Sequence, residues 1–255
     1  MEIDVTNIAT AHELVVARIM HAANDEKSDL CREIKIETSP GKWEWTWEYR
    51  DLVTTIIRQP QLLPQVSEAC SFGPGFISQY KEDLCHLKLR SEYPPGKAPV
   101  YTYPWRLMDY PVDDESGVLG NGDGLGLNQI EQIIKRLQQN PDSRRGNAIT
   151  WVPTIDGEAT HDQPCLQVAH FMIRSDITNP ALHGRFFFRS HDMLGGAGAN
   201  WVGLCGLMEL VAERLDVEVG SLTTCSSSAH LYWKRDEDDL KKFKKHLFEK
   251  YRMYL

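Results

Sequence analysis

Residues 201–215 (WVGLCGLMELVAERL) carry apolar side chains around nearly the whole helical circumference. A helix without a continuous polar face must be enclosed by other elements, and the chain supplies both helices and strands to do it. Residues 9–23 (ATAHELVVARIMHAA) have helical apolar spacing. So do residues 128–139, with Ile130, Ile133, Ile134 and Leu137 on one face and Asn140-Pro141-Asp142 as the break. Residues 236–254 read as an outer helix, with Leu240, Phe243, Leu247 and Tyr251 among Lys, Asp and Glu. Residues 31–38 (CREIKIET) alternate like a half-buried strand closed by Ser39-Pro40-Gly41. Strands are also expected at 147–152, 166–173, 183–189 and 220–232. Residues 43–57, with tryptophan at 43, 45 and 47, read as a strand running into a helix. Helices and strands mix without regular βαβ alternation, so the expected class is α+β, one domain over 1–255 with no internal linker.

At 42% hydrophobic and 25% charged residues the composition is globular and excludes a disordered or fibrous chain. The net charge of −8 argues against a stable nucleic-acid complex or an anionic membrane surface, yet leaves room for a local basic pocket around a phosphate. No stretch is apolar for long enough to predict a membrane span, and the first residues lack a basic region followed by an apolar core. Cys31, Cys70, Cys85, Cys165, Cys205 and Cys225 are scattered, without the spacing of a zinc site or a disulfide framework. A reduced cytoplasmic protein is expected. Residues 90–125 are the least regular; the glycines around Asp123 lack the ligand alternation of a calcium loop and read as a surface loop.

Four features carry chemistry. Cys165 follows Pro164 at the mouth of an expected strand, and Arg144, Arg145 and Arg189 are positioned to favour its nucleophilic thiolate. Residues 140–146 (NPDSRRG) present two arginines on a tight turn, where guanidinium forks suit a phosphate. Arg189-Ser190-His191-Asp192 leads through residues 193–200 (MLGGAGAN) into a helix, which suits an anion. His230 and Tyr232 alternate, so they point to one face of a strand. Each has an ordinary alternative: a buried thiol, solvated arginines, a glycine turn, half-buried aromatics. A cysteine hydrolase pairing Cys165 with His170 or His191 would leave the arginines unexplained.

Taken in order, P-D-S-R-R, then P-C, then R-S-x-D with an asparagine eleven residues past its arginine, then H-x-Y, resemble thymidylate synthase over about residues 98–235. The S-x-S-A-H-L-Y and P-C-L forms are similar to the archaeal or phage-type branches, and residues 1–97 match poorly. The resemblance implies a mixed sheet packed with helices and a two-fold homodimer through that sheet. It implies that Cys165 adds to C6 of deoxyuridylate, so that C5 takes a one-carbon unit from 5,10-methylenetetrahydrofolate, or from a tetrahydromethanopterin analogue, to give dTMP. No metal is implied. Arg189 and Ser190 would hold the 5′-phosphate, and Arg144 and Arg145 would reach the phosphate in the neighbouring subunit. His230 and Tyr232 would bind the 3′-hydroxyl, Tyr101 would help move the C5 proton, and Asp192 and Gly196 would contact folate or pyrimidine. Asn200 would read the base, because a neutral amide pairs with uracil whereas the family's cytidylate hydroxymethylases carry aspartate there.

Three departures accompany the likeness. Leu166 follows the nucleophile where the common enzyme has histidine; the family's helix glutamate has no clear counterpart, Glu48 and Glu82 being the candidates; and the ending KYRMYL does not resemble the tail that closes over folate. Two competing readings remain: a deoxyuridylate or deoxycytidylate 5-hydroxymethylase, and a catalytically silent nucleotide-binding regulatory protein.

Overall fold

A computed structural model describes residues 1–114, 117–157, 162–174 and 179–252. Along the chain run β1 (Glu2–Val5), α1 (Ile8–Asn24), β2 (Cys31–Ser39), β3 (Lys42–Tyr49), β4 (Val53–Ile57) and α2 (Pro74–Cys85). They are followed by α3 (Tyr103–Met108), β5 (Val112–Asp114), β6 (Gly117–Leu119), α4 (Gln129–Gln139), β7 (Asn147–Ile149) and α5 (Pro153–Asp156). The last third holds β8 (Leu166–Arg174), β9 (Ala181–Phe188), β10 (His191–Asp192), α6 (Ala197–Leu215), β11 (Glu218–Ser226), β12 (Ala229–Leu231) and α7 (Glu237–Tyr251).

The main sheet has the order β1-β4-β11-β9-β8-β7, with β1/β4 and β11/β9 parallel and the other pairs antiparallel. A smaller mixed sheet runs β10-β12-β3-β2. This is a single α+β domain of helices packed on mixed sheets.

Period-two alternation assigns the faces of the main sheet. Ala148, Ala169, Phe186, Thr224 and Thr55 are cross-strand neighbours, and all are buried. Helix α6 belongs to this side, where the Trp201 indole N–H donates to Thr224 Oγ1 at 3.2 Å. The next row, Ile149, Val168, Phe187, Cys225 and Thr54, lies on the opposite face. There Ile149 is 43% and Phe187 39% exposed, an open apolar row on an otherwise ordinary sheet.

Helix α6 is enclosed as its sequence requires, with Trp201, Leu204, Cys205, Leu207, Met208 and Val211 all buried. It begins before residue 201, because the small residues from Ala197 onward enter the helix directly. Close approach of α2 to α6 depends on two glycines. A Cβ on Gly203 would lie 3.0 Å from the Tyr80 ring, and one on Gly206 would lie 2.7 Å from Lys81 Cγ. Helices α1 and α4 start on side-chain caps, Asn7 Oδ1 accepting from the Thr10 N–H and Asn128 Oδ1 from the Glu131 N–H, each at 2.9 Å.

Several expectations are corrected. Residues 43–57 form two strands and no helix: the β-branched run Val53–Ile57 is paired on both sides, by β1 and β11. The single strand expected at 220–232 divides at Ser227 and Ser228 into β11 and β12, which belong to different sheets. Residues 90–125 contain a 3₁₀ turn (Arg90–Glu92), α3 and the β5/β6 hairpin. The glycine run is tied to the buried Asp109 carboxylate by the N–H groups of Gly122 (2.6 Å), Gly124 (3.0 Å) and Gly126 (2.6 Å). Strand β1 and helix α2 carried no recognised signal. The expected helix at 236–254 is found to Tyr251; residues 253–255, half of the unusual tail, lie outside the described residues.

Candidate functional site

Cys165 ends the loop that enters β8, and its carbonyl accepts the Arg189 N–H at 2.9 Å, which ties it to the end of β9. The same arginine holds the loop by its side chain, Nε donating to Pro164 O at 3.0 Å and Nη2 to Gln163 O at 2.8 Å. From the other side Tyr101 Oη donates to Gln163 O at 3.3 Å. Beneath the loop Gln163 Nε2 donates to Asp156 O at 2.7 Å, and the Asp156 carboxylate is paired with Arg106 at 2.9 Å in an ion pair shut off from solvent. A buried pair of this kind positions its neighbours more than it stabilises the fold. Leu166, at the start of β8, gives its N–H to Tyr103 Oη at 3.1 Å.

Burial pushes the Cys165 thiol above its ordinary pKa; Arg189 opposes this, and Asp162 and Asp192 add to the rise. The expectation of three arginines around the thiol therefore reduces to one within a single chain. Arg144 and Arg145 lie on the exposed turn between α4 and β7, and His170, on the open side of the main sheet, borders the Arg144 backbone.

Across from the loop, β10 and β12 place Asp192 beside His230 in register. Asp192 Oδ1 accepts the N–H groups of Leu194 (3.2 Å) and Gly195 (3.0 Å), an arrangement that shapes the turn into α6. Gly196 caps that helix, its N–H donating to Asp192 O at 2.9 Å. His230 Nδ1 is 3.1 Å from Ser228 O, while its Nε2 is buried without a hydrogen-bond partner. Burial lowers the His230 pKa and keeps the ring neutral. Tyr232 meets His230 edge-on at 4.9 Å and is covered by the Arg235 guanidinium at 3.9 Å. Arg235 in turn pairs with Asp192 at 2.9 Å and with Asp236. Sequence reasoning missed Arg235, and its place only three residues past the H-x-Y motif was the one available signal. Ser190, half-buried, follows Arg189 at the end of β9.

Asn200 lies in the first turn of α6. Its Oδ1 accepts from Tyr80 Oη at 2.7 Å, and its Nδ2 is 3.3 Å from His191 Nε2. His191 stacks on Phe188 at 4.0 Å and reaches Ser226 Oγ through Nδ1 at 2.9 Å. Burial, with smaller contributions from His230 and His12, drives its pKa to about 3. Neither candidate glutamate is in this position. Glu82 is exposed beside His86, and Glu48 pairs with Arg32 at 2.6 Å in the β2/β3 hairpin. The residue facing Asn200 is Tyr80, from a helix the sequence did not announce. The hydrolase pairing finds no support either. His191 is engaged by Asn200 and Ser226, His170 lies by Arg144 and Arg185, and neither acts on the thiol.

Cys165, Tyr101, Arg189, Asp192, Asn200, His230 and Tyr232 thus converge, while Arg144 and Arg145 stay apart at the rim of the open sheet face. Next to the cysteine loop opens a cleft of about 630 Å³, whose lining includes Tyr80, His86, Lys88, Tyr93, Tyr101 and Asp162. Among the described residues no group of three His, Cys, Asp or Glu side chains is arranged to hold a metal ion, and no helix is long and apolar enough to cross a membrane.

The model of the family described as thymidylate synthase matches residues 88–254. Relatives each named "Putative thymidylate synthase" occur in Methanocaldococcus jannaschii (34% identical, covering 78% of this chain and 82% of that protein) and Methanosarcina acetivorans (42%, covering 72% and 73%). A third, from Methanothermobacter thermautotrophicus, is 31% identical over 90% of this chain and 92% of its own length, so the similarity extends into the first 97 residues. With most of its length matched to the family's model and to these archaeal relatives, the chain belongs to the thymidylate synthase family.

Proposed function

We propose that this protein is a methyltransferase that converts deoxyuridylate to dTMP, using a methylene-tetrahydrofolate or its methanopterin analogue. The observation that carries the reading is the grouping of Arg189, Asp192, Tyr101 and Tyr232 about Cys165, with Asn200 tied to the same place through Tyr80 and Tyr101 bound to the nucleophile's own loop. Cys165 Sγ would donate its electron pair to C6 of the uracil ring and move density through C5 towards O4, making C5 nucleophilic. Arg189, with Ser190, would hold the 5′-phosphate, and the unpartnered Nε2 of His230, with Tyr232, would meet the sugar hydroxyl. Tyr101 would manage the proton at C5.

The cleft suits a reduced folate: tyrosine rings offer faces for a flat pterin, and Lys88 offers charge for an acidic tail. Such a folate supplies a one-carbon unit and then a hydride. Asp192, anchored by Arg235, and Gly196 would contact the folate or the pyrimidine. A reducing cytoplasm suits an enzyme whose nucleophile is a thiol.

The site is completed by a second copy in this reading. The open row Ile149, Val168, Phe187 supplies an apolar face for a two-fold dimer, and Arg144 and Arg145 at its rim would enter the partner's phosphate site.

Incubation with deoxyuridylate and methylene-tetrahydrofolate, followed by mass analysis, tests the reading. A methylated product supports it. A hydroxymethylated product replaces it with the hydroxymethylase, and nucleotide binding without any Cys165 adduct replaces it with a silent binding protein.

A further inference from the structure

The amide expected to read the base is held by a chain of three other side chains. Tyr80 Oη is 2.7 Å from Asn200 Oδ1, Asn200 Nδ2 is 3.3 Å from His191 Nε2, and His191 Nδ1 is 2.9 Å from Ser226 Oγ. A carboxamide has the same shape with its oxygen and nitrogen exchanged, so its neighbours' protons decide which way it points. The half-buried Tyr80 is a neutral phenol with one proton to give, because burial raises its pKa. His191, kept neutral by burial, has one N–H and one bare nitrogen.

Two proton orders are possible along this chain. In the first, the order in which the structure sets the amide, Tyr80 donates to Oδ1, Nδ2–H donates to His191 Nε2, and Nδ1–H donates to Ser226 Oγ. In the second the amide is turned over: Nδ2 donates to the Tyr80 oxygen, Nε2–H to Oδ1, and the Ser226 hydroxyl to Nδ1. The Tyr80 proton then has no acceptor among the described contacts, and its 2.7 Å bond to Asn200 Oδ1 is lost.

We propose that Tyr80 is a positioning residue that, with His191, locks the Asn200 carboxamide in one orientation and thereby sets the preference for uracil over cytosine. The inference rests on the deoxyuridylate reading of the site. Uracil offers N3–H beside O4, and cytosine offers N3 beside an N4 amine, the opposite order of donor and acceptor. Turning the amide over exchanges the edges it can pair with and leaves its volume unchanged. Packing alone cannot make this distinction, whereas a fixed proton order can. Gly203 lets α2 approach closely enough for the phenol to take this position.

Tyr80→Phe keeps the ring and deletes the hydroxyl. In the full chain, calorimetric binding and kcat/KM for deoxyuridylate and deoxycytidylate should show the preference for deoxyuridylate falling about tenfold. Thermal unfolding of the variant checks that the fold is kept. Nitrogen NMR of the wild-type protein should find His191 protonated at Nδ1, and the variant should show a mixture of tautomers. A wild-type His191 protonated at Nε2 overturns the proposal without any variant. So does a variant whose nucleotide preference stays within twofold of wild type. If the wild type itself binds neither nucleotide, or prefers deoxycytidylate, the deoxyuridylate reading fails. If the wild type prefers deoxyuridylate and Tyr80→Phe keeps that preference, only the role of Tyr80 fails.

Discussion

Cys165 combines two opposed demands: it must attack as a thiolate, yet its surroundings favour the thiol. Burial raises its pKa and Arg189 only partly offsets that, so alkylation of the free protein should still be accelerating above pH 9, where an ordinary cysteine levels off. Arg189→Ala should slow alkylation further at pH 8; an iodoacetamide time course measures both. Cys165→Ala should abolish turnover while deoxyuridylate binding stays within about tenfold, because phosphate contacts dominate ground-state affinity. Asn200→Asp should move the preference towards deoxycytidylate by at least about tenfold, read from the ratio of kcat/KM values, since an unpaired buried polar edge costs about 1–3 kcal/mol. These residues were legible in the sequence because residue type and spacing carry their chemistry. Tyr80 and Arg235 were not. Tyr80 reaches Asn200 across 120 positions of sequence, and Arg235 matters through an ion pair to Asp192 that only the fold creates.

At the scale of elements, long periodic segments were readable and short ones were not. Helices α1, α4, α6 and α7 have enough turns to display a face, whereas α2 buries only Ile77 and Leu84 and shows no stripe. Strand β4 was taken for a helix because five β-branched residues after three alternate tryptophans look continuous; neighbours on both sides decided the matter. Helix α7 offers a test of how elements are joined. Glu13, fully buried on α1, accepts bonds from Ser67 (2.9 Å), His246 (2.8 Å), Lys250 (2.9 Å) and Tyr251 (2.6 Å). Burial pushes this carboxyl up, but the bonds from Lys250, Tyr251, His246 and Ser67 outweigh it and leave the pKa below its ordinary value. Its contribution is therefore complete above the ordinary carboxylate range and is lost as pH falls through the lowered value. Glu13→Gln should cost about 2–3 kcal/mol in urea unfolding at pH 7. That difference from wild type should shrink in acid, with faster hydrogen exchange in α7.

At the scale of the whole molecule, Arg144 and Arg145 lie on the exposed turn between α4 and β7 and are absent from the charges that act on Cys165. In the proposed dimer, mixing Arg144→Ala with Cys165→Ala should recover part of the activity, because one of the two sites then has an intact cysteine and an intact arginine turn. No recovery after subunit exchange has been verified by mass spectrometry would place the turn within its own subunit. The open row of Ile149, Val168 and Phe187 carries a further consequence, for how such a protein is made rather than how it works. A newly folded half displays a greasy strip until it meets its match, and during that wait it can stick to any other half in the wrong way. Recovery from denaturant should then peak at an intermediate protein concentration: too thin a solution leaves the halves unmatched, and too thick a one sends them into clumps.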